Sequence, residues 1–381
     1  MSLSPTPKIL PIHFLTIVLN GEPFIRYHLD AFKHLPFPWH WHVVEGIANL
    51  KHDSSWSVAG GGRINAALHH QGRSIDGTSE YLDQIAAQYP ENISIYRKHG
   101  GNYWDGKREM VNAPLANFPE ECLLWQVDVD ELWSQAQIEK LRELFLAHPA
   151  KSAAWFWCHY FVGPELVTTT RNTYGGNPGY EWLRVWRYRK GMYWASHAPP
   201  RLHEKDAHGS TRDMGATNPF LHDEMEKQGL VFQHYAYVLP EQLTFKQSYY
   251  GYKNALAEWE RLQAAADRPL KLADYFSWVK DEAVVDSPGA LSLLPMARRD
   301  PQDGSWKFLA QDQIRPWRAK GWNVNLFLEH PRFRWRQGKK VIVDSLLAGK
   351  ARWVETFFRC VSLWHLRGAL NFLCVDLLLV S

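Results

Sequence analysis

Residues 122–133 have the sequence CLLWQVDVDELW, and the rest of the chain is best interpreted outward from them. The apolar residues run directly into Asp128, Asp130 and Glu131, a pattern typical of a buried strand that ends by placing carboxylates outside a sheet. Side chains alternate along an extended chain, so Asp128 and Asp130 share one face and can hold one divalent cation. The alternative is a solvated strand end where the acids only mark a turn.

Composition indicates an ordinary soluble globular protein. Of the 381 residues 45% are hydrophobic and 22% are charged, and the formal charge of +3 is too small to favour nucleic acid. The four cysteines, Cys122, Cys158, Cys360 and Cys374, lack the spacing of a zinc ribbon or a disulfide framework and fit a reducing cytoplasm. The first residues also lack the features of a signal peptide. We therefore expect a cytoplasmic protein.

The first 135 residues alternate predicted strands with predicted helices. The predicted strands are 9–19, 41–46, 93–96 and 122–127, and the predicted helices are 22–35, 79–88 and 104–117. This alternation indicates βαβ units and a mainly parallel sheet. Ligands of such sheets bind beyond the carboxyl ends of the strands, where Asn20, Glu45 and Asp128 are expected to lie.

The second half of the chain has a different pattern of residues. Aromatic strands are predicted at 153–162, 182–194 and 231–238, and a glycine-rich loop between the first two is suited to covering a ligand. We predict a main domain at 1–255, with a nucleotide-binding half at 1–135 and an acceptor half at 136–255. An accessory helical or irregular region is predicted at 256–340, and amphipathic helices at 341–381.

Four segments together resemble a known family of enzymes. They are TIVLNGE at 16–22, KREMVNAPL at 107–115, LLWQVDVDE at 123–131 and FQHYAYVLPEQLTFKQSYYG at 232–251. Their order and spacing resemble bacterial family 2-type glycosyltransferases, and are similar to β-1,4-mannosyl-glycoprotein N-acetylglucosaminyltransferases and their bacterial relatives. The resemblance covers roughly residues 9–255. It implies a GT-A-like α/β fold, with a mainly parallel, mixed sheet flanked by helices and followed by a C-terminal helical extension.

The resemblance also implies a metal site. A departing nucleoside diphosphate is stabilised by a hard cation, Mn²⁺ or Mg²⁺, with open positions for phosphate oxygens. Asp130 would be the closer ligand, Asp128 would face the ribose or a metal-bound water, and His234 would complete the coordination. An imidazole ligand favours manganese slightly. The alternative for His234 is a hydrogen-bonded core histidine.

Further donor contacts follow from the same resemblance. Asn20 and Glu45 would lie at the nucleoside end, although Glu45 departs from the Asp that many relatives carry and is otherwise an ordinary strand-end acid. The diphosphate would meet Lys107, Arg108, Asn112 and Lys246. The alternative for these residues is a charged, exposed helix face. Pro114 also departs from the family pattern, because it should end or kink a helix or lie in its first turn.

The catalytic base is chosen from carboxylates of the second half. Inversion at the anomeric carbon requires a carboxylate near the acceptor hydroxyl, whereas retention needs no protein base. Glu204 is the preferred candidate and Glu181 the second, with Asp223 and Glu224 as further choices. Each of the four is equally compatible with a surface charge.

The C-terminal segment from residue 352 has apolar residues at helical spacing with interleaved arginines, which indicates an amphipathic helix with a basic flank. The apolar stretch beyond Gly368 is too short and too interrupted to span a bilayer. The segment is suited to a peripheral contact with the inner membrane face. A helix packed on the enzyme, or a dimer contact, is the alternative.

The sequence thus predicts a metal-dependent hexosyl- or N-acetylhexosaminyltransferase. Its donor would be a nucleotide sugar, a UDP-sugar being favoured, and its acceptor a glycan or a lipid-linked sugar such as a cell-envelope polysaccharide. Two other classes stay open at this point. A metal-dependent phosphoryl or nucleotidyl transferase would use the same carboxylates, and a silent carbohydrate-binding scaffold would keep them for structure alone.

Overall fold

A computed structural model describes residues 10–49, 66–170, 182–279, 283–291 and 293–308 of the chain. By its internal contacts the chain divides into residues Met1–Val324 and Asn325–Ser381, and the described residues all belong to the first unit. Glu181, most of the glycine-rich loop and the predicted helices at 341–381 lie outside the described residues. Within the described part, no helix is long and apolar enough to cross a bilayer.

The strands of the described residues are numbered in chain order. They are β1 Ile12–Val18, β2 Trp39–Glu45, β3 Ile93–Tyr96, β4 Glu121–Gln126, β5 Glu131–Leu132, β6 Ala153–Trp155, β7 Trp157–Gly163, β8 Leu166–Thr170, β9 Leu183–Arg189, β10 Tyr193–Ser196, β11 Arg201–Lys205, β12 Thr211–Asp213, β13 Val231–His234, β14 Leu270–Lys271, β15 Val284–Asp286, β16 Ala297–Arg299 and β17 Trp306–Phe308.

The α-helices are numbered in the same way. They are α1 Ile25–Phe32, α2 Thr78–Gln88, α3 Gly106–Asn112, α4 Gln135–Ala147, α5 Met214–Thr217, α6 His222–Lys227, α7 Pro240–Tyr250 and α8 Ala255–Gln263. The predicted helix at 104–117 is shorter than expected, because α3 ends at Asn112 and Pro114 opens a separate 3-10 turn at Leu115–Asn117. A proline ring and its missing N–H are incompatible with a continuous helix at this point.

The main sheet has six strands in the order β3-β2-β1-β4-β9-β6. The strands β3, β2, β1 and β4 are parallel to one another. Strand β9 is antiparallel to both β4 and β6. Glu45 pairs with Val18, and Gln126 pairs with Leu15, so the ends of β1, β2 and β4 meet at one edge. The predicted α/β class, with a mainly parallel, mixed sheet flanked by helices, is confirmed.

Two apolar clusters cover the two faces of this sheet, which explains why its strands are nearly continuous apolar runs. Phe14 and Trp125 belong to the first cluster, where Phe32 of α1 stacks on Phe14 at a centroid distance of 3.7 Å. Leu15 and Leu124, which are adjacent in sequence to Phe14 and Trp125 respectively, belong to the second cluster. Alternation along each strand therefore assigns successive side chains to opposite layers.

A second six-stranded sheet follows the order β14-β15-β8-β7-β13-β5. Here β13 lies parallel to β7 and antiparallel to the short β5, and the register places His234 opposite Glu131. Strands β14 and β15, from the predicted accessory region, add to the outer edge of this sheet. The boundaries at residues 135, 255 and 340 stay a prediction. A separate three-stranded sheet, β10-β11-β12, carries Glu204.

Candidate active site

A large cavity lies at the carboxyl ends of β1, β2 and β4. Its volume is about 1640 Å³, and its lining includes Asn20 after β1, Gly46 after β2 and Asp128 and Asp130 after β4. Residues of α7, among them Lys246, also line it. Typical small-ligand pockets have about 300–1,000 Å³, so this cavity has room for more than one substrate.

Asp130 and His234 form a pair in the wall of this cavity. The pairing of β13 with β5 brings them together, and His234 Nε2 lies 3.3 Å from Asp130 Oδ1. Tyr160 and Trp182 flank the imidazole, with ring centroids at 4.8 and 5.1 Å. Burial alone would raise the pKa of Asp130, but His234 and Lys246 outweigh it and lower the pKa to about 2. Asp130 is therefore a carboxylate at neutral pH.

Asp128 has a different partner, Arg184 of β9. Arg184 Nη2 lies 3.3 Å from Asp128 Oδ2, and its Nε lies 2.9 and 2.8 Å from the two carboxylate oxygens of Glu131. Glu131 is fully buried and braces this arginine, which in turn orients Asp128. Burial opposes ionisation of Asp128, but the guanidinium of Arg184 holds its pKa below the usual value.

The predicted metal site can be tested against these contacts. Among the described residues, no group of three or more His, Cys, Asp or Glu side chains is arranged to hold a metal ion. Asp130 and His234 present an oxygen and a nitrogen ligand side by side, whereas an Asp128 oxygen faces Arg184. These ligands suit Mn²⁺ or Mg²⁺ if other oxygens, such as those of a diphosphate, complete the shell. Direct ligation by Asp128 stays a prediction.

The two residues predicted at the nucleoside end differ in position. Asn20 lines the cavity, but its amide donates to Leu68 O at 2.8 Å and accepts from the Ile75 N–H at 2.9 Å. Glu45 does not line it, because its buried carboxylate accepts hydrogen bonds from the Ser74 N–H, the Ser79 hydroxyl and Arg97 Nε. Asn20 and Glu45 thus hold residues 68–79 in place through hydrogen bonds.

Of the four residues predicted to meet the diphosphate, three lie on helix α3, and one of these three lines the cavity. Lys107 lines the cavity, with Nζ 2.8 Å from the Tyr250 hydroxyl. Neither Arg108 nor Asn112 lines the cavity. The Asn112 side chain instead bonds to the backbone of Trp194 in β10, donating to O at 3.0 Å and accepting from N–H at 2.9 Å.

Lys246, on α7, lines the cavity as the resemblance implied. Its Nζ lies 4.9 Å from the centroid of the Tyr237 ring, a cation–π contact. Its positive charge helps to lower the pKa of Asp130. Besides Asp128 and Asp130, the lining therefore includes Lys107 and Lys246, a combination suited to an anionic ligand that brings a cation with it.

The carboxylates predicted as catalytic bases lie away from the cavity or outside the described residues. Glu204 faces Arg189 and Arg212 on the three-stranded sheet, and Glu224 accepts from the Leu221 N–H at 2.7 Å. Neither of them lines the cavity, and neither does Asp223. The structure thus gives no support to Glu204 as the base, and Glu181 stays untested.

Several cavity residues carry polar chemistry that sequence patterns did not single out. Gln126 Nε2 lies 3.4 Å from His197 Nε2, and Gln126 Oε1 and His197 Nδ1 are buried without a hydrogen-bond partner among the described residues. Burial, aided by nearby Lys107, lowers the pKa of His197 to about 3. Glu241, in the first turn of α7, places an exposed carboxylate at the lining. Gln126 and Glu241 lie within two of the segments that carry the resemblance, 123–131 and 232–251, but no role was predicted for either, and His197 opens a His-Ala-Pro-Pro segment at 197–200.

No protein family and no curated protein sequence matches the chain. Among solved structures, a mannosyltransferase from Pyrobaculum calidifontis in complex with GDP-Man and Mn²⁺ is similar at 19% identity, covering 40% of this chain and 37% of that one, with a TM-score of 0.27. S. aureus TarS 1-349 is similar at 13% identity, covering 47% of each chain, with a TM-score of 0.30.

A third similar structure is 4-diphosphocytidyl-2C-methyl-D-erythritol synthase, at 10% identity and a TM-score of 0.28, covering 49% of this chain and 77% of that one. The chain thus spans less than half of the length of the first two structures. Similarities at TM-scores of 0.27 to 0.30 establish neither the fold nor the activity of this chain. Its fold is defined by the strand order, and its candidate site by the cavity contacts.

Proposed function

We propose that this protein is a metal-dependent glycosyltransferase that uses a nucleotide-sugar donor. The observation that carries the proposal is the Asp130–His234 pair, which lies beside Asp128 in the wall of a cavity at the carboxyl edge of a mixed sheet. A UDP-sugar is the favoured donor, a hexosyl or N-acetylhexosaminyl group the transferred unit, and a glycan or lipid-linked sugar the acceptor. These choices of substrate rest on the sequence resemblance.

Two groups of cavity residues would stabilise a leaving diphosphate in different ways. Asp130 and His234 would hold Mn²⁺ or Mg²⁺, which supplies neutralising charge to the diphosphate oxygens when bound. Lys107 and Lys246 line the same cavity and add positive charge that needs no metal. Asp128, which Arg184 contacts, would bind a ribose hydroxyl or a water molecule of the metal.

We also propose Glu241 as the base that receives the acceptor proton if the reaction inverts the anomeric centre. The carboxylates that line the cavity besides Asp128 and Asp130 are Glu22, Asp76 and Glu241. Glu22 pairs with Arg26, and Asp76 accepts hydrogen bonds from the backbone of Glu22 and of Thr78. Glu241 is exposed at the cavity lining, where an acceptor hydroxyl can reach it.

The first experiment is a screen of UDP-, GDP- and CMP-sugars for hydrolysis with Mn²⁺, with Mg²⁺ and with EDTA. We expect metal-dependent release of a nucleoside diphosphate from one donor class. Release of pyrophosphate from a nucleoside triphosphate instead would indicate a nucleotidyl transferase. Calorimetry of UDP with and without Mn²⁺ is the companion measurement, and metal-independent binding would favour a silent scaffold.

A matched pair of variants tests the metal ligands. Asp130→Asn should remove the Mn²⁺ dependence of UDP binding, because it deletes the anionic ligand beside His234. Asp30→Asn removes an exposed carboxylate of α1 outside the cavity and should bind UDP like the wild type. Retained metal-dependent binding in Asp130→Asn would refute the proposed site.

Location in the cytoplasm and membrane contact through residues 341–381 stay predictions.

A further inference from the structure

The cavity contains an aromatic wall that the donor chemistry leaves unused. We define this aromatic wall as Tyr237, Tyr252 and Trp278, all of which line the cavity. The centroid of Trp278 lies 5.3 Å from that of Tyr252 and 6.0 Å from that of Tyr237. Tyr252 and Trp278 are half-buried, so part of each ring surface stays open to the cavity. Tyr237 is buried and supports the other two rings.

The aromatic wall is held in place from behind. The fully buried Phe276 stacks on Trp278 with centroids 4.5 Å apart and planes inclined by 17°, and it packs edge-on against Tyr237. Because Phe276 covers one face of the indole, the surface that Trp278 gives to the cavity comes from the rest of the ring. A ring fixed before binding loses little conformational entropy when a ligand stacks on it.

Ring contacts connect the aromatic wall to the proposed metal ligands. Tyr160 lies against His234 at 4.8 Å and against Tyr237 at 5.7 Å. Lys246, whose charge lowers the pKa of Asp130, lies over the ring of Tyr237. A ligand stacked on the aromatic wall would therefore lie near the Asp130–His234 pair, because the ring of Tyr160 connects Tyr237 to His234.

We propose that the aromatic wall binds a pyranose ring of the acceptor, which makes the acceptor a glycoside. A pyranose has an apolar face of C–H groups and a rim of hydroxyls. The rings of Tyr252 and Trp278, whose planes are inclined by 40°, each give an aromatic surface that can contact this face, while Lys246 and Glu241 supply polar groups to the same cavity. The inference rests on the proposed function, since it assigns the acceptor end of the same cavity.

The test uses saturation-transfer NMR with the full-length protein and methyl glycosides of glucose, galactose, mannose and N-acetylglucosamine. We expect transfer to the C–H protons of one or more glycosides. Trp278→Ala and Tyr252→Ala should each weaken that glycoside's binding by about tenfold or more, whereas Trp278→Phe, which keeps a ring, should lose less. Trp39→Ala changes a half-buried tryptophan outside the cavity and should bind like the wild type.

Calorimetry of UDP with Mn²⁺ on the same proteins separates the two proposals and reports whether each variant is folded. UDP affinity should not change in Trp278→Ala. Loss of UDP binding without loss of glycoside binding would show that the rings stack on a nucleobase, and would overturn the inference. So would a wild type that binds none of the glycosides. Failure of the wild type to bind UDP would count against the proposed function alone.

Discussion

Arg184 holds the fully buried carboxylate of Glu131 through Nε, at 2.9 and 2.8 Å from its two oxygens. Arg184 belongs to the main sheet and Glu131 to the second sheet, so this ion pair joins the two sheets directly behind the aspartates of the cavity. The same guanidinium reaches Asp128. The pair therefore couples the stability of the fold to the position of a proposed donor-binding carboxylate.

Arg184→Ala should destabilise the protein by about 3–5 kcal/mol, because it leaves the buried Glu131 carboxyl group without its ion-pair partner. Urea unfolding followed by tryptophan fluorescence measures this loss. Arg189→Ala, on the same strand but with an exposed side chain, breaks a surface ion pair with Glu204 and should cost at most about 1 kcal/mol. Equal effects of the two substitutions would contradict the structural role of Arg184.

Gly21→Ala should disturb the aspartate pair through packing. A Cβ at residue 21 would lie 2.7 Å from Val18 Cγ2 and 2.8 Å from Val129 Cγ2, and Val129 separates Asp128 from Asp130. We expect a loss of stability of about 1–3 kcal/mol, typical of overpacking, and weaker Mn²⁺-dependent UDP binding. Gly289→Ala is the control, since its Cβ would meet nothing within 4 Å. Wild-type UDP affinity in Gly21→Ala would show that Val129 does not set the aspartate geometry.

Glu241→Gln and Glu204→Gln distinguish the two choices of catalytic base. Glu241 lines the cavity, whereas Glu204 faces two arginines on the three-stranded sheet. With the donor identified by the screen, we expect Glu241→Gln to lower the transfer rate by about 10²–10⁴ while UDP affinity stays unchanged. Glu204→Gln should keep its activity. The reverse result would restore Glu204, and full activity in both variants would fit a retaining reaction without a protein base.

A cluster of histidines in β1 and β2 should make the fold sensitive to acid. His42 Nε2 lies 2.9 Å from His13 Nδ1, and His42 Nδ1 lies 2.9 Å from the Tyr96 hydroxyl. Burial, together with neighbouring His40, lowers the pKa of His13 to about 3 and that of His42 to about 2. Both imidazoles are therefore neutral in the folded protein near pH 7.

Because the pKa values of His13 and His42 are lowered in the folded protein, its stability should fall as the pH falls. An unfolded histidine has a pKa of about 6.5, so below that pH the unfolded chain binds protons that the fold rejects. The stability contribution is complete above pH 6.5 and is lost as the pH falls toward about 3, at about 1.4 kcal/mol per pH unit for each histidine. Urea unfolding at pH 7.0 and 5.5 measures it. His42→Gln should lower by about one the number of protons taken up on unfolding at acidic pH. An unchanged slope of the unfolding free energy against pH would contradict this prediction.

Much of the fold followed from local patterns in the sequence. The alternation of apolar strands with amphipathic helices predicted the parallel part of the main sheet, whereas the helix predicted at 104–117 was too long, because α3 ends at Asn112 before Pro114. The acids after β4 were also assigned correctly to the carboxyl edge, since Asp128 and Asp130 line the cavity there. These features are encoded locally, because side-chain alternation and backbone constraints act over a few residues.

The partners of the cavity residues could not be predicted in this way. Glu45 has the strand-end position of a ligand residue, yet Arg97 and Ser79 bind its carboxylate beneath the surface. Arg184 lies more than fifty positions from Asp128 in sequence and is brought to it only by the pairing of β9 with β4. Contacts of this kind depend on how distant segments pack, and the sequence pattern around each residue carries no record of them.

The sequence by itself thus determined the fold class, the edge of the sheet where the candidate site lies and the residues Asp128, Asp130 and His234 as candidates. Only the tertiary structure decided that His234 lies against Asp130, that Arg184 holds Asp128, and that Glu241 lines the cavity while Glu204 does not. Periodicity fixes which face of an element is buried. The packing of whole elements on one another fixes which side chains meet.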